Sequence, residues 1–228
     1  MAIVHAWSLY APPDADGRRR HAIAQSTWGK QPWIEMPISD GQLPRLFNEN
    51  GHNFPFIRDL FDAACLGRKA DDIIIYTNAD IGMVSNACIR IAIQLNLAEA
   101  GYAFRRDLHI KVTHVPPDQD ILQWHHYPGS DVFFFRVRWW KKHGSQMPDM
   151  IPAREAWDPC LRILIDDTND HPQMALPNLC WHERHGKPSG YWEDPNNRYT
   201  LPGQIHNLRL AKSFMLKQGR NPSQFGVR

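Results

Sequence analysis

Asn78-Ala79-Asp80 follows directly on the run Ile73-Ile74-Ile75-Tyr76-Thr77. An acid beside a carboxamide, just past the end of a buried strand, suits a hard divalent cation and a phosphate-bearing ligand. Ligands of open α/β sheets gather outside that end of the strands. The plain alternative is a turn, because Asn and Asp are ordinary turn residues.

Asp131 poses the same choice. It closes Pro128-Gly129-Ser130-Asp131, which is turn chemistry throughout. It also opens the apolar run 132–135, which places it at a strand edge facing a cleft. Asp158 stands before Pro159 and heads a helical stripe of Trp157, Leu161, Leu164 and Ile165. Such an acid can cap the helix or point into a site. Glu155 lies three residues before it. His182 and His185 are also three apart, which on a helix puts both on one face, where they could hold a metal. The pair misses the HExxH spacing by one residue, so the metalloprotease signal fails. Hydrogen-bonding histidines are the alternative, preferred for His125 and His126. Arg18-Arg19-Arg20 offers forked donors that match phosphate oxygens, or else a solvated basic face. Trp139, Trp140, Trp181, Tyr191 and Trp192 read as platforms for sugar rings or bases, or as core. Trp139-Trp140-Lys141-Lys142-His143 interleaves aromatics with cations, which keeps a nucleic-acid acceptor open.

The elements that must carry these residues alternate. Strands are expected at 2–10, 33–38, 73–76, 102–106, 108–112 and 132–139. Helices are expected at 18–28, 56–66, 86–100, from 157 onward, and 204–217. Ser85 and Gly101 read as the cap residues of the 86–100 helix. An apolar run such as 73–76, too short for a helix, is expected to be buried on both faces. The pattern predicts an α/β fold with a mostly parallel central sheet flanked by helices, and a loop-rich, site-forming segment after about residue 167.

Length and composition agree. The 228 residues fit one large domain or two small ones; the reading adopted is a single domain over 1–228, in two halves, 1–115 and 116–228. An apolar fraction of 43% against 22% charged excludes a disordered or fibrous chain. A net charge of +2 does not make a polybasic nucleic-acid binder. Asp80 and Arg90 interrupt the best apolar stretch, so no membrane span is expected. The first twenty residues lack a basic n-region. The four cysteines show no CxxC spacing and read as reduced, buried thiols of a cytoplasmic protein, in the host cytoplasm if the source is viral.

Taken in order, Asn78-Ala79-Asp80, the 101–107 strand, the G-x-D-x-F-x-F-like Gly129-Ser130-Asp131-Val132-Phe133-Phe134-Phe135, Ala156-Trp157-Asp158 and Trp181-His182-Glu183-Arg184-His185 resemble the GT-A-fold glycosyltransferases, the nucleotide-diphospho-sugar transferase superfamily. The resemblance covers roughly residues 55–195. Asn78 departs from the family's DxD motif in its first residue. The resemblance implies transfer of a sugar from a nucleotide-diphospho-sugar to an acceptor hydroxyl, on a glycan or on a hydroxymethylated base in viral DNA. It implies Mn²⁺ or Mg²⁺ at Asp80 with His182 or His185. It implies donor contacts from Ser8, Tyr10, Arg18, Arg20, Asn78, Asp80 and Arg106. It implies sugar contacts from Asp131 and an acceptor-activating base at Asp158 or Glu155. Two other readings stand beside it: a catalytically silent sugar- or nucleic-acid-binding domain on the same fold, and a His-liganded metal hydrolase.

Overall fold

The computed structural model describes residues 1–9, 14–49, 51–152, 154–169, 175–184 and 201–227. In chain order the elements are β1 (Ile3–Ser8), α1 (Ala15–Trp28), β2 (Ile34–Ile38), β3 (Leu46–Glu49), β4 (His52–Pro55), α2 (Ile57–Cys65), β5 (Ile73–Thr77), β6 (Ile81–Met83), α3 (Ala87–Gln94), β7 (Ala100–Leu108), α4 (Asp118–Ile121), β8 (His125–Arg136), α5 (Val137–His143), α6 (Trp157–Thr168), β9 (Ala175–Glu183) and α7 (Pro202–Lys217). Seven strands form one sheet in the order β2-β1-β5-β8-β7-β9-β6, and β3 and β4 form a separate hairpin. β1 runs parallel to β2 and β5, and β7 runs parallel to β9. β8 opposes both its neighbours, and β6 opposes β9. This is the mixed α/β, mostly parallel sheet that the alternation of elements predicts.

The β-branched run of β5 is buried at every position. Because successive side chains of a strand leave opposite faces, one run feeds two cores. Ile74 and Tyr76 join Phe133 and Phe135 of β8 on one face, against α2, α5, α6 and α7. Ile73 and Ile75 join Val132 and Phe134 on the other, against α1 and α3. Gly82 of β6 lies under the Trp181 indole of β9, and a Cβ there would overlap the ring. Gly82→Ala is therefore expected to cost about 1–3 kcal/mol, as overpacked cores do. The measurement is the denaturation midpoint at constant m-value; an unmoved midpoint would show that the indole swings aside freely.

Several local expectations are corrected, among them the strand expected at 108–112, since β7 ends at Leu108. The strand expected at 132–139 ends at Arg136, and Val137 begins α5. Its indoles are core: Trp139 Nε1 donates to Thr168 Oγ1 at 3.0 Å and Trp140 Nε1 to Asp62 Oδ1 at 2.7 Å. Trp139, Trp140 and Trp181 are each 1–2% exposed, so none is a stacking platform. The 86–100 helix stops at Gln94, has Asn86 rather than Ser85 at its N-cap position, and gives Ala100 and Gly101 to β7. Asp158 is not the cap of α6 but its second residue; Ala156 precedes the helix with φ 77°. The loop-rich tail contains a full strand, β9, so His182 sits on a strand and the helical-face argument for His182 and His185 does not apply. Cys65, Cys88, Cys160 and Cys180 are free and buried.

Candidate functional site

β8 lies between β5 and β7 and runs against both, and β9 follows β7 in the sheet, so the carboxyl ends of β5, β7 and β9 lie at one end of it. Pairing of Thr77 with Val132 brings the turn after β5 beside Asp131. There Asn78 Nδ2 donates to Asp131 Oδ1 at 2.7 Å. Parallel pairing of β7 with β9 sets Asp107 beside His182, and antiparallel pairing of β6 with β9 sets Ile81 beside it. His182 consequently stands between two acids: Nε2 lies 3.3 Å from Asp80 Oδ2, and Nδ1 lies 3.5 Å from Asp107 Oδ1. Arg105 closes the chain of contacts. Its Nε donates to Asp107 at 2.7 Å and its Nη1 to Asp131 at 2.5 Å.

The electrostatics follow from that packing. Burial works against a charge on His182, but the Asp107 and Asp80 carboxylates, which accept from its ring nitrogens, outweigh it and push its pKa up to about 9. Burial would raise the Asp107 carboxyl, yet His182 and Arg105 hold it below the usual range. Asp158 faces the same cluster with the opposite outcome. As a residue it is half-buried, but protein crowds its carboxyl. That desolvation, with the Asp131 charge, pushes its pKa up to about 7, against the pull of Arg162 and of the Ser130 N–H. Asp107 and Asp158 thus differ in environment, as carboxyls do where acid and base roles are separated. The Tyr127 ring lies over the Arg105 guanidinium at 4.1 Å and remains 40% exposed. Gly129 gives it room, since a Cβ there would overlap the phenol ring.

Asn78, Asp80, Asp131, Asp158 and His182, each singled out in the sequence, therefore gather at one end of the sheet. Glu155 turns toward α7, where Gln204 Nε2 lies 3.4 Å from its Oε2. Ser8 ends β1 and is half-buried. Arg18 and Arg20 belong to α1, which begins at Ala15. Of that run, Arg19 makes the best-defined pair, with Glu183 at 2.5 and 2.8 Å. Arg106 points away from the cluster and donates to Asn178 Oδ1 at 2.7 Å and to the Trp124 carbonyl at 2.9 Å. Tyr10, His185, Tyr191 and Trp192 lie outside the described residues. Sequence reasoning missed Arg105 and Asp107. Their signal was opposite charges at i and i+2 of a strand, which share a face.

Among the described residues, no group of three or more His, Cys, Asp and Glu side chains is arranged to hold a metal. The Asp80–His182 pair still has the chemistry of a two-ligand site. Mg²⁺ and similar ions use one or two carboxylates and take their remaining ligands from phosphates and water. A liganding histidine turns its other ring nitrogen to a carboxylate, as His182 Nδ1 does toward Asp107.

No protein-family profile and no curated protein matches the sequence. Solved structures do. S. aureus TarS 1–349 in complex with UDP-GlcNAc aligns with a TM-score of 0.55 and 9% identity, over 96% of this chain and 72% of that one. A second structure of S. aureus TarS 1–349 aligns with a TM-score of 0.53 and 9% identity, over 98% and 68%. The likeness shows the fold, which is GT-A-like. Among the described residues, no helix is long and apolar enough to cross a membrane.

Proposed function

We propose that this protein is a nucleotide-sugar-dependent glycosyltransferase, moving a sugar from a nucleotide-diphospho-sugar to an acceptor hydroxyl. One observation carries the reading: Asn78, Asp80, Asp131 and His182, distant in the chain, meet at the carboxyl ends of the strands, with the Asp158 carboxyl beside Asp131. The fold shared with a protein solved in complex with UDP-GlcNAc makes that compound the donor to try first.

Asp80 and His182 would hold Mn²⁺ or Mg²⁺, His182 giving up its ring proton to do so. A divalent cation bound there supplies positive charge toward the leaving nucleotide diphosphate. Asp107 keeps the His182 ring turned toward Asp80. Asp131, held by Asn78 and Arg105, orients the sugar hydroxyls. Asp158 accepts the acceptor's hydroxyl proton as the acceptor oxygen bonds to the anomeric carbon and the bond from that carbon to the diphosphate oxygen breaks. Displacement with that base inverts the anomeric centre. The acceptor is proposed only as a hydroxyl-bearing molecule. The buried indoles of Trp139 and Trp140 withdraw the support that an aromatic–cationic surface would lend to DNA.

The test is thermal unfolding with UDP-GlcNAc, UDP and Mn²⁺, singly and combined. A ligand at a hundred times its Kd stabilises the native state by about 2.7 kcal/mol. The expected result is stabilisation by UDP-GlcNAc that needs Mn²⁺ and vanishes in Asp80→Ala while the variant keeps its cooperative transition. Stabilisation that is equal without Mn²⁺ would remove the metal role of Asp80. Lack of any shift with a panel of nucleotide sugars would sink the transferase reading and favour a silent binding domain.

A further inference from the structure

The segment that carries Asp158 is held from outside the sheet. Before α6 the chain passes through Ile151, Glu155 and Ala156, and Ala156 adopts φ 77°, a conformation unfavourable for a residue with a Cβ. Among the described residues, no side chain caps the N-terminus of α6. Two fully buried carboxamides of α7 reach the preceding segment instead. Asn207 Oδ1 accepts the Ile151 N–H at 2.9 Å, while Nδ2 donates to the Ile151 carbonyl at 2.9 Å and the Glu155 carbonyl at 3.0 Å. Gln204 Oε1 accepts the Glu155 N–H at 3.0 Å. Both residues are 0% exposed. The start of α7 is in turn pinned by the β3–β4 hairpin, where Glu49 accepts the Gly203 N–H at 2.6 Å and pairs with Arg154. Gly203 fits against Glu49, Ile151 and Arg154 with little room for a Cβ.

We propose that Asn207 and Gln204 are positioning residues. Their hydrogen bonds hold the left-handed turn at Ala156, and that turn sets where the Asp158 carboxyl stands. The energetic logic is local. A buried carboxamide that satisfies three backbone groups of one irregular segment leaves that segment a single low-energy path. Without it, Ala156 relaxes toward an ordinary φ, and the first turn of α6 moves with it. A displacement of about 1 Å at a reacting group can cost roughly 10²-fold in rate. The proposal rests on the assignment of Asp158 as base.

The test uses the full chain, with UDP-GlcNAc hydrolysis as the assay and Asn207→Ser as the variant. kcat is expected to fall at least tenfold while KM for UDP-GlcNAc stays within twofold. Adding Ala156→Gly, which adopts φ near 77° without strain, is expected to restore most of kcat. A merely structural role for Asn207 would lower the melting temperature without rescue by Gly at 156. An unchanged kcat in folded Asn207→Ser, or a loss that Ala156→Gly does not recover, overturns the proposal. Amide hydrogen exchange at Ile151 and Glu155 reads the clamp apart from turnover. It should accelerate in Asn207→Ser, and unchanged exchange overturns the clamp whatever the rate does. If Asp158→Asn alone retains turnover, the base assignment has failed, whereas accelerated exchange at 151 and 155 would still stand for the clamp.

Discussion

Asp158→Asn is expected to lower sugar transfer, or hydrolysis of UDP-GlcNAc, by roughly 10²- to 10⁴-fold, the contribution of a positioned general base. The amide keeps the shape and the hydrogen-bonding reach of the acid and removes only its capacity to take a proton. Binding of UDP-GlcNAc should change little, because the donor contacts proposed above come from other residues. The wild-type pH profile carries the same information. The Asp158 pKa is pushed up to about 7 by burial and by Asp131, so the free enzyme holds its proton below that pH. kcat/KM should then rise with pH through about 7, and the rise should be absent in Asp158→Asn. The groups facing the carboxyl are Asp131 and Tyr127 from β8 and Arg162 from α6. A flat profile in the wild-type protein would remove Asp158 from the reaction. Stability moves the opposite way. A carboxyl with a raised native pKa favours the folded state most below pH about 4, and that contribution declines as pH rises toward 7.

Arg105→Met is expected to destabilise the fold by about 3–5 kcal/mol, the usual result of removing one partner from a buried ion pair. The guanidinium bridges Asp107 and Asp131, whose side chains are 7% and 11% exposed. Without it two carboxylates remain in a poorly solvated place, already close to Asp80 through His182. The methionine fills the volume, so the loss reports charge rather than a cavity. Arg105→Lys should recover part of it, since one ammonium cannot match two carboxylates as a planar fork does. Chemical denaturation of the three proteins measures this. A loss below about 1 kcal/mol would place the cluster in the class of surface ion pairs and break the link drawn between Asp131 and His182.

Both experiments address residues that differ in how far the chain itself revealed them. Asp158 was visible from Asp-Pro before an apolar helical stripe, although it stands two residues past the cap position rather than at it. Arg105 was hidden beside Arg106, and choosing between them requires the pairing of β7 with β8 and β9. The register shifts near Ala103 and Phe104 make simple alternation an unsafe guide to which arginine faces the cluster. Trp139 and Trp140 misled for a related reason. Aromatic, β-branched composition extends the strand signal to residue 139. Yet the Val137 and Arg138 N–H groups bond to the Asp72 and Ala70 carbonyls at 2.9 Å each, and α5 begins there, burying both indoles.

Short-range chemistry, then, was enough for the elements and for several of the reactive side chains. Strand alternation, helical stripes and turn residues are properties of neighbouring positions, so the buried β5 run, the Asn78-Ala79-Asp80 turn and the α/β alternation could be read from the chain. The partners of those side chains were decided by the tertiary structure alone. His182 meets Asp80 and Asp107 through strand registers between segments far apart in sequence, and a one-residue slip in either register would turn it to the opposite face. The clamp of α7 on the turn before Asp158 is likewise a contact that no local pattern encodes, because Asn207 and Gln204 show their role only when the helix is packed against that turn.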